Sequence, residues 1–171
     1  MLFHAEFRVK VAIVSTGEVS IREAMDSDVD QCARLIADHQ AGDFATWRTR
    51  FIGDLHNENR KFLIAVSNES VLGYGHSVLH ERAIDADSVS SPAGYFLSGL
   101  LVAPNHRREG IGTLLTRARL EALPSQTQAV YYLADPSNEA TIGLHRRLGF
   151  VEVRPVVREG VRFLLYRLDF T

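Results

Sequence analysis

The sequence predicts an α/β protein, a single domain in which helices flank a mixed, mostly antiparallel sheet. Two observations carry that expectation. Strand-like apolar runs and helix-period segments follow one another in the order β-α-α-β-β-β-α-β-α-β-β, a layered α/β pattern. The length of 171 residues, with 46% hydrophobic and 23% charged residues, suits one sizeable core.

Each element has a local reason. "VSIREA" (Val19 to Ala24) alternates like a short strand. "DSDVDQCARLIADH" opens with a capping pattern, Ser27 with Asp30 three residues later, and continues with apolar residues at helical spacing. "ATWRTRFIGDLH" is a weaker helical pattern. "KFLIAV" and "VLGYGHSVLH" flank the turn-rich "SNES" and read as a hairpin. "YFLSGLLV" is an apolar strand ended by Ala103-Pro104. "IGTLLTRARLEAL" places Ile111, Leu114, Leu115, Ala118 and Ala122 on one helix face and stops at Pro124. "AVYYLA" is a buried strand, and "NEATIGLHRRLGF" a helix with Gly149 at the C-terminal position that favours a left-handed residue. "FVEVRPVV" and "VRFLLYRLDF" close the chain as strands.

Composition excludes several roles. A formal net charge of −2 argues against nucleic acid as the main partner. The single cysteine, Cys32, sits among apolar helix residues, rules out an internal disulfide and fits a reducing cytoplasm. "MLFHAEFRVKVAIVSTGEV" holds no apolar run long enough for a signal peptide or membrane span. Residues 1–18 are expected to be an N-terminal extension, an extra strand or a loose leader, ahead of a domain over 19–171.

The informative stretch is "NHRREGIGTLL", Asn105 to Leu115. A strand, a short loop and a glycine-rich helix start are the parts of a phosphate site: unpaired N–H groups and the helix dipole favour an anion there. Gly110 and Gly112 let oxygens approach the backbone, and Arg107 and Arg108 add charge. A dinucleotide fingerprint would need a third glycine where Leu115 stands, and a P-loop would need Gly-Lys-Ser/Thr. The bland reading, a tight turn with solvated arginines, stays open on these residues alone.

In context the chain resembles the GNAT N-acetyltransferase family. Val102-Ala103-Pro104 followed by Arg107-Arg108-Glu109-Gly110-Ile111-Gly112 is similar to its acyl-CoA signature. Asn138, Leu144 and Leu148-Gly149-Phe150 match its second block, and "SIREAMDSD" looks like its first strand and helix start. The resemblance runs from about Val19 to the C-terminus. It implies a GNAT-like fold with a splayed central strand pair and acetyl-CoA as cosubstrate, with no metal. Backbone N–H groups from Arg108 through Glu109, Gly110, Ile111 and Gly112 to Thr113 would hold the pyrophosphate. Leu100, Leu101 and Val102 would pair with the pantetheine arm like an added strand, and Asn138 would bond it from the far side. The acyl-CoA would lie where the strand at Tyr95 to Val102 splays from that at Val130 to Ala134.

Amine attack on a thioester needs a neutral amine, a stabilised oxyanion and help for the departing thiolate. A backbone N–H on the Leu100 to Val102 strand could serve the oxyanion. Where the family usually has a tyrosine acid, this chain has His145, which could donate a proton or simply pack. Thr141 replaces the family's common alanine. The strand before Val102 carries Ser98 and Gly99 in place of an acid, which leaves Glu81 and His80 as candidate bases. His76 and His80 share a strand face by period two, but no third metal ligand is evident.

These residues imply an acetyl-CoA-dependent acyltransferase acting on a primary amine of a small molecule, with aminoglycoside-like or polyamine-like acceptors fitting. Phe44 and Trp47 are candidate pocket aromatics, although aromatics in such a segment are more often core, and Glu81, Asp85 and Asp87 could attract a cation. Acetylation of a protein lysine or N-terminus, and a non-catalytic acyl-CoA-binding module, are the alternatives. No nucleic-acid or membrane partner is expected, and the terminal strand edges would allow a homodimer.

Overall fold

The computed structural model describes residues 15–16, 18–40, 42–81 and 91–170. The expectations for residues 1–14 and for Asp85 and Asp87 lie outside the described residues. The strands are β1 (Ser15–Thr16), β2 (Val19–Glu23), β3 (Arg60–Ser67), β4 (Ser70–His80), β5 (Gly94–Val102), β6 (Ala129–Ala134), β7 (Val151–Arg158) and β8 (Val161–Asp169). The helices are α1 (Val29–Ala37), α2 (Phe44–Leu55), α3 (Ile111–Glu121) and α4 (Glu139–Arg147). Hydrogen-bonded neighbours follow the order β1-β2-β3-β4-β5-β6-β8-β7. The expected α/β architecture is therefore present, with β1 added ahead of the expected first strand.

The chain forms two compact units, 1–77 with 99–124 and 78–98 with 125–171. In the first, β3 is buried along Phe62, Leu63, Ile64 and Ala65, because both of its faces are covered. Phe62 and Ile64 pack with Tyr74 against α1 and α2, through Val29, Cys32, Ala33, Ile36 and Phe51. Leu63 and Ala65 face the other way, toward Ile111, Leu115 and Ala118 of α3. The β3–β4 hairpin closes through Asn68 and Glu69, both at positive φ (46° and 65°), the turn that matches strand twist.

The start of α1 departs from the expected capping pair. Ser27 sits in a 3-10 turn over Asp26–Asp28, and Asp28 does the work. Its carboxylate accepts from the Met25 N–H (2.8 Å) and takes both guanidinium ends of Arg22 (2.7 and 2.8 Å). Two donors for one buried carboxylate explain why this acid is chosen.

In the second unit β6 alternates inward and outward residues and pairs antiparallel with β8, from Ala129–Asp169 to Ala134–Leu164. Its parallel pairing with β5 covers Tyr95–Val130 and Phe96–Tyr131, the short pairing of a splayed pair. The last strand, β8, lies between β6 and β7, so β7 and not the chain's final strand stands at that end of the sheet order. The terminal-edge expectation is corrected to that extent.

Candidate active site

The turn before α3 has the geometry of an anion cradle. After β5, a 3-10 turn over Pro104–His106 leads to Arg108 and Gly110, both left-handed (φ 67° and 85°). A Cβ on Gly110 would meet nothing within 4 Å, so glycine serves the backbone conformation there, not the space. No side chain caps α3, and its first helical bond runs from the Leu114 N–H to Gly110 O (3.0 Å). The N–H groups of Ile111, Gly112 and Thr113 therefore precede the ladder and sit at the positive end of the helix dipole.

Flanking side chains hold this turn. Arg107 Nε donates to Val102 O (3.3 Å), so part of that guanidinium ties the loop to the end of β5. The Glu109 carboxylate lies 3.1 Å from His106 Nδ1. Deeper in α3, the Thr116 hydroxyl donates to Gly112 O (2.8 Å) and accepts from Arg119 (2.9 Å). Arg119 also donates to Leu115 O (3.4 Å) and to His76 O of β4 (3.3 Å). It is 1% exposed, and burial lowers its pKa to about 9, so it still carries a charge near neutrality. Its guanidinium lies over Gly75, where a Cβ would come within 3.0 Å of Nε. A hydrogen-bonded path thus joins the turn to the middle of β4.

Where that path ends, β4 meets the Gly99 end of β5. Leu100, Leu101 and Val102 are half-buried, while Gly99 is exposed and left-handed (φ 58°). A Cβ on Gly99 would lie 2.8 Å from His76 Nδ1. His76 is 3% exposed, rests against Phe62 (ring centroids 4.2 Å) and Phe51 (5.8 Å), and has its Nε2 sealed without a hydrogen bond. Its nearest acid is Asp54 Oδ2 of α2 at 3.7 Å, close enough to act as a charge partner but too long for a hydrogen bond. Asp54 Oδ1 also meets Arg60 Nε at 3.2 Å. Burial pushes the Asp54 carboxyl up despite Arg60 and Arg50. Burial, then Arg60, Arg119 and Arg50, lower the His76 pKa to about 3 and keep its ring neutral.

The second unit holds the other expected residues. Asn138 caps α4, its Oδ1 accepting from the Thr141 N–H (3.1 Å), which leaves the amide NH2 outside the cap. His145 is 2% exposed and stacks on Tyr132 (3.9 Å, 19°), with Phe150 edge-on (5.1 Å). His145 Nδ1 lies 2.9 Å from Thr141 O. A carbonyl only accepts, so Nδ1 carries the hydrogen and the neutral ring has no second proton to give. His80 packs edge-on against Phe96 (5.0 Å), and Glu81 is exposed beyond the end of β4.

Phe44 and Trp47 pack at the margin of the first unit's core, under Arg34 and Arg50 (5.6 and 5.2 Å to the ring centroids). Cys32 is fully buried, and burial raises its thiol pKa to about 12. Among the described residues no group of three or more His, Cys, Asp or Glu is placed to hold a metal, and no helix is long and apolar enough to cross a membrane. Sequence reasoning gave His76 no role beyond a metal pair and passed over Asp54 and Arg119. The acid in "FIGDLH" at the end of a helix pattern was the available signal.

Residues 23–150, most of the chain, match the acetyltransferase (GNAT) family. The chain belongs to that family. Solved structures with this fold include a GNAT-family acetyltransferase of Bacillus cereus (20% identity, 91% of this chain and 99% of that one, TM-score 0.69). Another is a ribosomal-protein-alanine N-acetyltransferase of Brucella melitensis (22% identity, 88% and 99%, TM-score 0.65). By sequence, this GNAT protein is 39% identical over 70 residues to an aminoglycoside N(6')-acetyltransferase type 1 of Acinetobacter haemolyticus. That match covers 40% of this chain and 47% of the relative, so the chain spans about half the length of the relative it matches.

Proposed function

We propose that this GNAT protein is an acyltransferase that moves the acetyl group of acetyl-CoA to a primary amine of a small molecule. The observation that carries the reading is the uncapped start of α3, with left-handed Gly110 and the free N–H groups of Ile111, Gly112 and Thr113. A pyrophosphate seated there would let the pantetheine arm run along Val102, Leu101 and Leu100, toward Gly99. Asn138 would add a donor through its amide NH2. An aminoglycoside amine is the favoured acceptor because the Acinetobacter relative is named for that activity. The single buried Cys32 suits a reducing cytoplasm as the place of reaction. We assign catalysis to a domain over residues 19–171.

In this reaction the amine nitrogen attacks the thioester carbon, a C–N bond forms, and the C–S bond breaks with its electron pair leaving on sulfur. A backbone N–H of the Leu100 to Val102 segment would stabilise the oxyanion. The neutral His145 ring, its proton committed to Thr141 O, could protonate the thiolate only from an imidazolium state.

The test is calorimetric titration of acetyl-CoA into the native protein and Gly110→Asp. Native affinity in the micromolar range, about 8 kcal/mol, is expected to vanish in the variant. The aspartate would set a negative charge where the pyrophosphate belongs and strain a backbone at φ 85°. Equal binding by both proteins would remove the turn from the site.

A further inference from the structure

We propose that His76 takes the proton released by the acceptor nitrogen, with Asp54 as the positioning residue behind it. This rests on the acetyl-transfer reading above. With the pyrophosphate at α3, the arm along Val102 to Leu100 delivers its thioester end to Gly99. Gly99 is exposed, and its left-handed backbone places no side chain over the edge of the buried His76 ring. Of the His76 ring atoms, Nδ1 is the one closest to the Cβ position of Gly99, at 2.8 Å, with Cε1 at 3.6 Å and Cγ at 3.9 Å. The sealed Nε2 points to the other side, toward Asp54 Oδ2 at 3.7 Å. A neutral imidazole so placed keeps its hydrogen on Nε2, facing the carboxylate, and presents the Nδ1 lone pair to Gly99. The long Nε2–Asp54 separation is of the kind that tightens when a site fills.

The neutral amine attacks, and the carbonyl electron pair moves to oxygen. The adduct nitrogen, now positively charged, gives one proton to Nδ1. The oxygen pair reforms the carbonyl while the C–S bond breaks, and the imidazolium passes its proton to water. The adduct nitrogen is a stronger acid than a free ammonium, which narrows its gap to an imidazole weakened by burial. The groups facing His76 are Asp54 and Arg50 of α2, Arg60 of β3, Tyr74 on its own strand (5.7 Å between rings) and Arg119 of α3. Burial first, and then three guanidinium groups against one carboxylate, keep the resting ring unprotonated. The same field disfavours an ammonium at this spot and so favours the nucleophilic form of the acceptor.

The experiment follows CoA thiol release with kanamycin, spermidine and a lysine peptide as acceptors, at pH 6 to 9, for native protein, His76→Asn and Asp54→Asn. Acetyl-CoA affinity is measured alongside. His76→Asn is expected to lose about a hundredfold or more in kcat while acetyl-CoA affinity stays within about threefold. Asp54→Asn should lose less, in kcat with the KM for the amine unchanged, the split expected of a positioning residue. A His76→Asn enzyme with native kcat overturns the proposal. So does a 15N spectrum of the native imidazole showing the hydrogen on Nδ1, a readout that needs no variant to fold. If native protein binds acetyl-CoA but releases no thiol to any of the three amines, the acetyl-transfer reading fails and this proposal falls with it. Loss confined to the variants separates the two cases.

Discussion

His76 and His145 are both buried among aromatic rings, and they differ in what holds Nδ1. In the second unit Nδ1 of His145 is spent on Thr141 O, one turn back on its own helix, and the ring face is spent on Tyr132. In the first unit Nδ1 of His76 faces an exposed glycine, and the ring is braced from behind by Asp54. One histidine has its Nδ1 and its ring face committed to neighbours in its own unit. The other, equally buried, turns Nδ1 toward an exposed glycine. On the proposed reading, the fate of each nitrogen, not burial alone, separates a structural histidine from a chemical one.

The largest expected effect tests the structural half of that contrast. His145→Ala removes a stacked ring and one hydrogen bond, a loss of about 2–4 kcal/mol. Thermal unfolding of native and variant protein measures it, with His145→Phe expected to recover part through the Tyr132 stack. A variant that keeps its Tm but loses turnover a hundredfold would return the chemistry to His145 and undo the contrast.

Why sequence reasoning favoured His145 is instructive. Its position in a motif is local, since Asn138, Leu144 and Leu148-Gly149-Phe150 lie within one helix and its C-terminal turn. The same locality made the strands, α3 and the Gly110 turn legible. The His76 environment is not local: it needs β4 beside β5, α2 beneath β4, and Arg119 reaching from α3 over Gly75. Period two put His76 and His80 on one face and could show neither Gly99 nor Asp54. The position of β7 at the outer end of the sheet order was readable, though. Pro155 in "VEVRPVV" lacks an N–H and belongs on an edge strand, whereas "VRFLLYRLDF" has the apolar content of an inner one.

A smaller effect tests the chemical half through pH. The folded-state pKa of His76, about 3, lies below the unfolded value of 6.5. Between those limits the unfolded chain binds the extra proton, so stability falls as the solution is acidified through the unfolded pKa. The slope contributed is at most about 1.4 kcal/mol per pH unit. Asp54, whose carboxyl is raised by burial, acts in the opposite sense at the acid end. Asp28, held low by Arg22, adds a further loss once pH drops through its own folded pKa, below 3.8. Urea unfolding at pH 7, 6 and 5 should therefore give a steeper decline for native protein than for His76→Asn. Parallel declines would mean that His76 takes up a proton in the folded state as easily as in the unfolded chain, and would weaken its contrast with His145.

The smallest effect concerns Asn138, which combines the two roles that the histidines divide. Its Oδ1 caps α4 and its NH2 group is the proposed donor to pantetheine. Asn138→Ala should cost about 1 kcal/mol of stability through the lost cap. A further loss of a few-fold in acetyl-CoA affinity is expected, about the net value of one neutral hydrogen bond. Asn138→Asp separates the two, because a carboxylate can still accept from the Thr141 N–H but donates nothing. Its unfolding midpoint should stay near native while acetyl-CoA binding weakens as in the alanine variant. Native affinity in Asn138→Asp would make this side chain purely a cap, leaving the first unit's turn and the β5 backbone as the proposed polar holds on the cosubstrate.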